Sequence, residues 1–435
     1  MVAKIVRGIG IGTNLAIWHV LMTVMSGRLL SSRGALIPAL SEGGLDKQAT
    51  LRAWGGAAHG SWEANKLLKR LNEEVKAEGQ WQALVIGGRS VKAYDTVGIF
   101  RPRLKDCSSK HYDGRAGKAL PAISFGILGA VGSVDKQPVT LPMKLVRAQG
   151  AAAQNEEALM RHLIKHTASE VTKEDVVTAD SKFSPVTLLE SGCKAIVIRR
   201  PKNMTLRRAE TAAYTGRGRK PIHGELIRPL ARTYRGKTLP AAQPDETQTW
   251  TETHNGQAVT VTAEIWRAVV PTPQAGWTPQ QRLLVKQASW RVVVAHHPAF
   301  DEPLVILMTL DFTAQQARQV VRGRWGIEQP PLVAKQLLGG HRQFVHAPDM
   351  RYRFPELIFV AAATLTYLAA TCKPIATGWW DTRPKRTAGR LRRELSKVPF
   401  PDLPRPDQLR EKNSITLHLP KGFHPALAAA RSAPA

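Results

Sequence analysis

The pattern of apolar and polar residues gives the chain a helical beginning. Over residues 1–80, apolar positions recur every three to four residues, most clearly in 46–54 and 61–77. Three glycines separate these two segments: Gly55, Gly56 and Gly60. Ser61 is placed to cap the second helix. Short helices with a basic face form either a helix-turn-helix DNA reader or an ordinary helical bundle, and the pattern fits both.

From about residue 83 the pattern changes to short runs of β-prone residues. Counted from Val91, it predicts three strands, a helix, a strand, a helix and a strand. In order, the segments are 91–94, 122–134, 139–146, 154–170, 175–179, 185–190 and 194–198. Strands that alternate with helices after an initial run of strands indicate a mixed α/β domain.

A long insert interrupts this pattern between Arg199 and Asp311. Its predicted strands are short: 260–265, 291–295 and 304–310. Its first part, residues 199–237, carries twelve basic residues against Glu210 and Glu225. From residue 382 onward the chain is rich in proline and basic residues, which is typical of a partly ordered tail.

Two apolar stretches, 14–30 and 357–372, are long enough to raise the question of a membrane. The first contains Asn14, His19 and Arg28, and the second is short for a bilayer span and carries three threonines. Both are better explained as buried helices. We therefore expect no membrane association.

The composition favours a polyanionic partner. Sixty-two lysines and arginines against 34 acidic residues give a formal charge of +28, spread along the whole chain. Such a distribution indicates nucleic acid, with a membrane surface as the alternative. The three cysteines lie far apart and form no C-x-x-C pair, which argues against zinc fingers and disulfides. A reducing compartment, the cytoplasm with its nucleoid, is expected.

The segment R-W-G-I-E-Q-P-P-L-V-A-K is the strongest local signal. On a regular helix Arg324, Glu328 and Lys335 would lie within roughly 40° of one face. A carboxylate that faces the same way as two cations suits the cleavage of a nucleic-acid backbone. Pro330 and Pro331 interrupt such a helix, which either kinks after Glu328 or ends there before another begins. The alignment of Lys335 therefore stays open.

Two further acids follow β-prone segments. Asp95 ends or sits within a strand, a position that aspartate disfavours, and Asp180 directly follows an apolar strand. Each has a simpler explanation. Asp95 could pair with Arg101 or Arg103, and Asp180 could cap the helix that starts soon after it.

These features together resemble DDE transposases of bacterial insertion sequences, in the branch with a Tyr-Arg-Glu-Lys motif. That motif leaves three residues between arginine and glutamate and six between glutamate and lysine, which Arg324, Glu328 and Lys335 match. Val321 stands where the motif has tyrosine. The resemblance covers roughly residues 83–372.

The resemblance implies a ribonuclease-H-like mixed sheet flanked by helices, interrupted by a β-rich insertion and preceded by a helical domain. It assigns catalysis and metal binding to Asp95, Asp180 and Glu328, which would hold two Mg²⁺ ions, with Mn²⁺ as a substitute. The implied domains are 1–80 for DNA binding, 81–200 and 312–380 for the catalytic core, 201–311 for the insertion and 381–435 for the tail.

The implied function is cut-and-paste transposition, with cleavage at the element ends and strand transfer into target DNA. The partners would be double-stranded DNA and a second subunit. The residues predicted to contact the DNA phosphates are Arg324, Lys335, Arg101, Arg103, Lys118, Arg199, Arg200 and Lys202. Two alternatives remain: a DNA-binding protein without catalysis, suggested by Val321 and by Lys182 close behind Asp180, and a ribonuclease-H-like nuclease without strand transfer.

Overall fold

A computed structural model gives the structure of the chain. It describes all residues except 102, 103, 105, 106, 212, 215, 217–220, 222, 275, 343, 346, 401–403, 405–407 and 410–435. The chain forms two compact units. One consists of residues 81–329 and is called here the sheet unit; the other combines 1–80 with 330–435 and is called the helical unit.

The described residues contain helices in both units. In chain order they are α1 (Val2–Val6), α2 (Thr13–Met25), α3 (Arg28–Ser31), α4 (Leu36–Glu42), α5 (Lys47–His59), α6 (Ala64–Glu78), α7 (Glu156–Thr167), α8 (Pro185–Glu190), α9 (Pro279–Gln287), α10 (Ala314–Arg324), α11 (Gln329–Leu332), α12 (Pro348–Thr371) and α13 (Ala388–Lys397). A 3₁₀ turn, Trp325–Glu328, follows α10 directly, and a π-helical turn, Val333–Leu337, follows α11.

The strands all belong to the sheet unit. They are β1 (Trp81–Ala83), β2 (Val85–Ile86), β3 (Arg89–Phe100), β4 (Lys110–Asp113), β5 (Lys118–Ala130), β6 (Gly132–Val134), β7 (Gln137–Pro138), β8 (Leu141–Arg147), β9 (Asp175–Ala179), β10 (Val197–Arg200), β11 (Leu206–Arg208), β12 (Leu226–Ile227), β13 (Arg232–Tyr234), β14 (Lys237–Leu239), β15 (Glu246–His254), β16 (Gln257–Pro271), β17 (Trp290–His296) and β18 (Leu304–Met308). Together with the helices they confirm a mixed α/β chain.

One sheet of this unit, called here the central sheet, contains the neighbouring strands β8, β5, β3 and β9 in that order. The first three strands pair antiparallel, whereas β9 runs parallel to β3. A parallel bridge between Val177 and Ile196 then connects β9 to the segment that enters β10. The predicted helix, strand, helix and strand are confirmed as α7, β9, α8 and β10, and for β9 and α8 even the bounds agree. The three strands predicted before them correspond to β3, β5 with β6, and β8, whereas β4 and β7 were not predicted.

Close packing of α7 on the central sheet explains a glycine in a strand. A Cβ atom on Gly126 of β5 would lie 2.8 Å from the Cβ of Leu163, so any side chain there would push α7 away. Leu163 belongs to a buried cluster that also contains Tyr94 of β3 and Val177 of β9. The cluster packs α7 on β3 and β9, the two strands that position Asp95 and Asp180.

The insert is built on a long hairpin. Strands β15 and β16 pair antiparallel over nine consecutive residue pairs, from Glu246↔Ile265 to His254↔Gln257, and β17 and β18 continue the sheet to β10. The three predicted insert strands are confirmed as β16, β17 and β18. The partner strand β15 was not predicted, since its polar sequence E-T-Q-T-W-T-E-T-H alternates only weakly. Residues 217, 219 and 220 of the basic run lie outside the described residues.

The helical unit buries α2 and α12, which confirms that both apolar stretches are packed helices. Among the described residues, α12 is the one helix long and apolar enough to cross a membrane, but 78% of its apolar window is buried within the structure. Helix α5 runs through Gly55 and Gly56, so the prediction that these residues separate two helices is wrong. A Cβ atom on Gly56 would lie 2.4 Å from that of Ala16, and this contact with α2 explains the glycine. The predicted cap is also wrong: Glu63, not Ser61, precedes α6.

The division into units differs from the predicted domain boundaries. Residues 330–380, assigned from the sequence to the catalytic core, group with the N-terminal helices. The physical reason is α12, whose apolar side chains pack on α2, α5 and α6. Of the tail, residues 381–400 belong to this unit and contain α13, whereas residues 410–435 lie outside the described residues.

Candidate functional site

Parallel pairing brings the first two predicted acids together. Tyr94 of β3 is the register partner of Ala179, the last residue of β9, so Asp95 and Asp180 occupy the next positions along neighbouring strands. Adjacent strands are about 4.8 Å apart, and register partners point to the same face. Asp95 lies in the middle of β3 rather than at a strand end, which settles the position that the sequence left open.

An arginine side chain holds the loop that carries Asp180 through hydrogen bonds to its backbone. Arg200 donates from Nη1 to the carbonyl oxygens of Ser181, at 3.0 Å, and Phe183, at 3.1 Å. The Asp180 carbonyl accepts a 3.0 Å hydrogen bond from the Phe183 amide. Ser184, not Asp180, is the N-cap residue of α8, so the capping explanation of Asp180 is wrong.

Glu328 reaches the same region at the end of a broken helix. Thr313 and Gln316 form a capping box that starts α10, and the regular helix ends at Arg324. The following 3₁₀ turn packs closely on Thr140. A Cβ atom on Gly326 would lie 2.5 Å from Thr140 Oγ1, so only glycine fits there. The predicted interruption is confirmed, although the α-helical geometry ends six residues before Pro330.

Arg324 and Glu328 form a partly buried ion pair. Arg324 donates from Nη2 to Glu328 Oε1 over 2.8 Å, which confirms that these two residues share one face. The guanidinium is only 7% exposed, and its Nε atom is buried with no hydrogen-bond partner in the structure. This arginine therefore orients the carboxylate.

Electrostatics shows that the acids interact. The pKa of Asp95 is raised to about 7, chiefly by burial, and the negative charges of Glu328 and Asp180 contribute to the rise. The positive charge of Arg324 and the hydrogen bond from the Thr96 amide oppose this rise in pKa. The cation whose charge lowers the Asp95 pKa is thus Arg324.

The raised pKa predicts a pH-dependent stability. Unfolded Asp95 would lose its proton near pH 3.8 and folded Asp95 near pH 7, so the free energy of unfolding should fall as the pH rises between these values. Urea denaturation in EDTA should show a decrease on the order of 2 kcal/mol from about pH 5 to about pH 8 that Asp95→Asn removes. Equal pH slopes for the parent and Asp95→Asn would contradict the burial of this carboxyl.

The donor set suits a divalent cation, although the acids are not gathered as ligands. Within the described ranges no group of three His, Cys, Asp or Glu side chains is arranged to hold a metal ion. One reason is that Glu328 is held by Arg324. Three interacting carboxylates, one with a raised pKa, are nevertheless the oxygen ligands that Mg²⁺ prefers, and a cation would relieve their repulsion.

The predicted phosphate contacts divide by exposure. Lys118, the first residue of β5, is exposed, as are Arg199 at the end of β10 and Lys202 beyond it. Lys118 ends the turn of the β4–β5 hairpin rather than lying in an irregular basic loop. Lys202 pairs with Glu302. These exposed side chains are the ones able to reach a nucleic-acid backbone.

The remaining predicted contacts are placed differently. Arg101 is buried, and Arg200 is committed to the backbone below Asp180. Arg103 lies outside the described residues. Lys335 is half-buried on the π-helical turn of the helical unit, so its alignment with Glu328 stays a prediction. Burial thus assigns Arg200 a positioning role that the sequence did not indicate.

An acid of the insert that sequence reasoning missed anchors the helix of the site. Glu252 on β15 accepts from Arg318 Nε at 3.2 Å and from Nη2 at 2.9 Å, and it lies 3.3 Å from Arg322 Nη1. Hydrogen bonding from Arg318 lowers the pKa of Glu252 to about 2. Gln248, on the same strand, accepts from the Ala314 amide at the start of α10.

A second missed acid contacts Thr96, whose side chain points to the opposite face of β3 from that of Asp95. Glu156, in the first turn of α7, accepts a 2.7 Å hydrogen bond from the Thr96 hydroxyl and forms an ion pair with Lys182 at 3.2 Å. Lys182 thereby has a structural partner close behind Asp180. The signal that could have indicated Glu156 is its place in the first turn of a helix that follows three strands.

No protein-family profile matches this chain, and a search of curated proteins finds no significant match.

Proposed function

We propose that the protein is a DNA transposase that cuts phosphodiester bonds at element ends and joins the freed 3′ ends to target DNA. The observation that carries the proposal is the register of β3 and β9, which makes Asp95 and Asp180 neighbours, with Glu328 near enough to influence the Asp95 pKa. Acids that interact in this way are suited to hold the cations that phosphoryl transfer requires.

The strand order supports a ribonuclease-H-like core. Three antiparallel strands, β8, β5 and β3, are followed by β9 and β10 on the other side of β3, parallel to it. The acids lie on the central strand, immediately after its parallel neighbour, and on a late helix. The β-rich insert between β10 and α10 agrees with the branch that the sequence resembles.

The side chains divide the work as follows. Asp95, Asp180 and Glu328 would hold two divalent cations, which activate the attacking oxygen and stabilise the leaving one when bound. Arg324 holds the Glu328 carboxylate, and its positive charge would attract a substrate phosphate. Arg200 fixes the backbone just after Asp180, so that the Asp180 carboxylate keeps a constant direction.

The test is a joining assay with the full chain. Labelled DNA that includes the sequence flanking the gene is incubated with a supercoiled plasmid and either Mg²⁺ or EDTA. We expect nicking and joined products with Mg²⁺ alone. With DNA already cut at the element end, we expect no joining when the strand to be transferred ends in a dideoxynucleotide, because its 3′-hydroxyl is the nucleophile.

Two outcomes would overturn the proposal. Nicks whose free 3′ ends never join target DNA would identify a nuclease. DNA binding without any Mg²⁺-dependent cleavage would identify a binding protein, a reading that the valine at position 321 leaves open.

A further inference from the structure

Two adjacent tryptophans are presented to solvent in the helical unit. Trp379 is 94% exposed and Trp380 is 65% exposed, and their ring centroids lie 5.9 Å apart at an angle of 81°. Large apolar side chains with this exposure indicate a binding surface when the backbone that carries them is fixed. The loop that carries this pair is fixed.

The loop is closed at its base and braced inside. Ile375 and Lys385 exchange two backbone hydrogen bonds of 3.2 and 3.3 Å. Asp381 accepts from the Thr377 amide at 3.0 Å and from Arg390 Nη1 at 2.7 Å. Both partners of the Asp381–Arg390 ion pair are largely shielded from solvent. The loop tip is therefore held in place by the shielded side chains of Asp381 and Arg390 and not by its exposed ones.

The two rings have different roles. A Cβ atom on Gly378 would lie 2.4 Å from the ring of Trp380, so this ring packs over the glycine backbone. Trp379 projects away from the protein and is nearly free of contacts with the rest of the chain, as its exposure shows. The arrangement offers one flat aromatic face on a rigid support.

The surroundings of the pair are basic. Residues 373–393 contain seven lysines and arginines and a single acid, Asp381, which is neutralised by Arg390. Lys373, Arg383 and Lys385 are exposed and lie within six positions of the tryptophans along the chain. An aromatic face among exposed cations matches the bases and phosphates of a nucleic-acid strand, because every base can stack and every phosphate is negative.

We propose that the loop of residues 375–385, called here the tryptophan loop, binds single-stranded or unpaired DNA by stacking a base on Trp379. Arg383 and Lys385 would contact the adjacent phosphates. This site belongs to the helical unit and does not involve the three carboxylates of the sheet unit. It therefore goes beyond the proposed catalytic function and can be tested without it.

The experiment measures binding of the full chain to a labelled oligothymidine and to a blunt duplex, in EDTA, over a range of salt concentrations. Trp379→Ala should weaken binding to the single strand about tenfold, since stacking contributes on the order of 1–3 kcal/mol per base. Trp379→Phe should retain most of the affinity. The exposed Leu51→Ala in the same unit is the matched control and should bind like the parent.

The salt dependence separates stacking from charge. Trp379→Ala should leave the slope of log K against log salt unchanged, whereas the double variant Arg383→Ser, Lys385→Ser should reduce its magnitude by about 1.4, at roughly 0.7 per phosphate of a single strand. Equal urea midpoints for parent and variants would show that the fold is intact, as expected for exposed positions.

Three results would overturn the proposal. Trp379→Ala could bind oligothymidine as tightly as the parent. The parent could bind vesicles with anionic lipids through Trp379 and show no stacking contribution to DNA. Trp379→Ala could also convert a dimer to a monomer with DNA affinity unchanged, which would assign the tryptophans to a contact between two copies.

Discussion

Asp180→Asn is expected to reduce Mg²⁺-dependent cleavage and joining by roughly 10³-fold or more, equivalent to about 4 kcal/mol of lost transition-state stabilisation. The amide keeps the shape of the carboxylate but removes the charge that would hold a cation. DNA affinity in EDTA should stay within about twofold of the parent, because lysine and arginine side chains, and not Asp180, bind the DNA phosphates. Product formation from labelled DNA ends and binding in EDTA are the two measurements.

Asp95→Asn and Glu328→Gln should behave in the same way if the three acids form one site. The matched control is Glu174→Gln, since Glu174 precedes the same strand β9 at its other end and is exposed. This variant should keep full activity. Parent-like joining by any of the three site variants would remove that residue from the proposed mechanism.

Glu252→Ala is expected to reduce the free energy of unfolding by about 2 kcal/mol, less than the roughly 3–5 kcal/mol for removing one partner of a fully buried ion pair, because this pair is partly buried. Arg318 is only 6% exposed and would keep its charge without the carboxylate that accepts from both Nε and Nη2. Urea denaturation at neutral pH measures the effect. Glu252→Gln, which retains one acceptor, should lose less.

Glu264→Ala provides the comparison for this prediction. Glu264 lies on the neighbouring strand β16, is about one third exposed and is 3.8 Å from His296. Exposed pairs of this kind contribute about 0–1 kcal/mol. Equal destabilisation by both variants would show that Glu252 does not anchor α10. Where Glu252→Gln still folds, a loss of joining activity would indicate that the anchor also positions Arg324 and Glu328.

The local elements could be predicted where short-range patterns determine them. Strand β9 is buried at every residue and is bounded by polar residues, and Pro185 fixes the first turn of α8, so both have the predicted bounds. The two aspartates were selected for their positions in or directly after strands. Their adjacency depends on the parallel pairing of β3 with β9, which a strand order can suggest but a single sequence does not contain.

Long-range pairs account for what the sequence did not indicate. Glu252 and Arg318 are 66 positions apart, and nothing in either local pattern connects them. Arg200 looked like a phosphate contact because it stands in a basic run, yet its side chain binds the backbone beyond Asp180. Helix α12 was assigned to the catalytic core by its place in the chain, whereas its apolar residues pack in the helical unit.

The most direct test of the central claim is a crystal structure of the protein soaked with Mn²⁺, recorded at a wavelength where manganese scatters anomalously. The proposal predicts Mn²⁺ coordinated by oxygens of Asp95 and Asp180, with Glu328 released from Arg324 to complete the site. Manganese bound only to other acids, with the Arg324–Glu328 pair intact and no ion between the two aspartates, would contradict it.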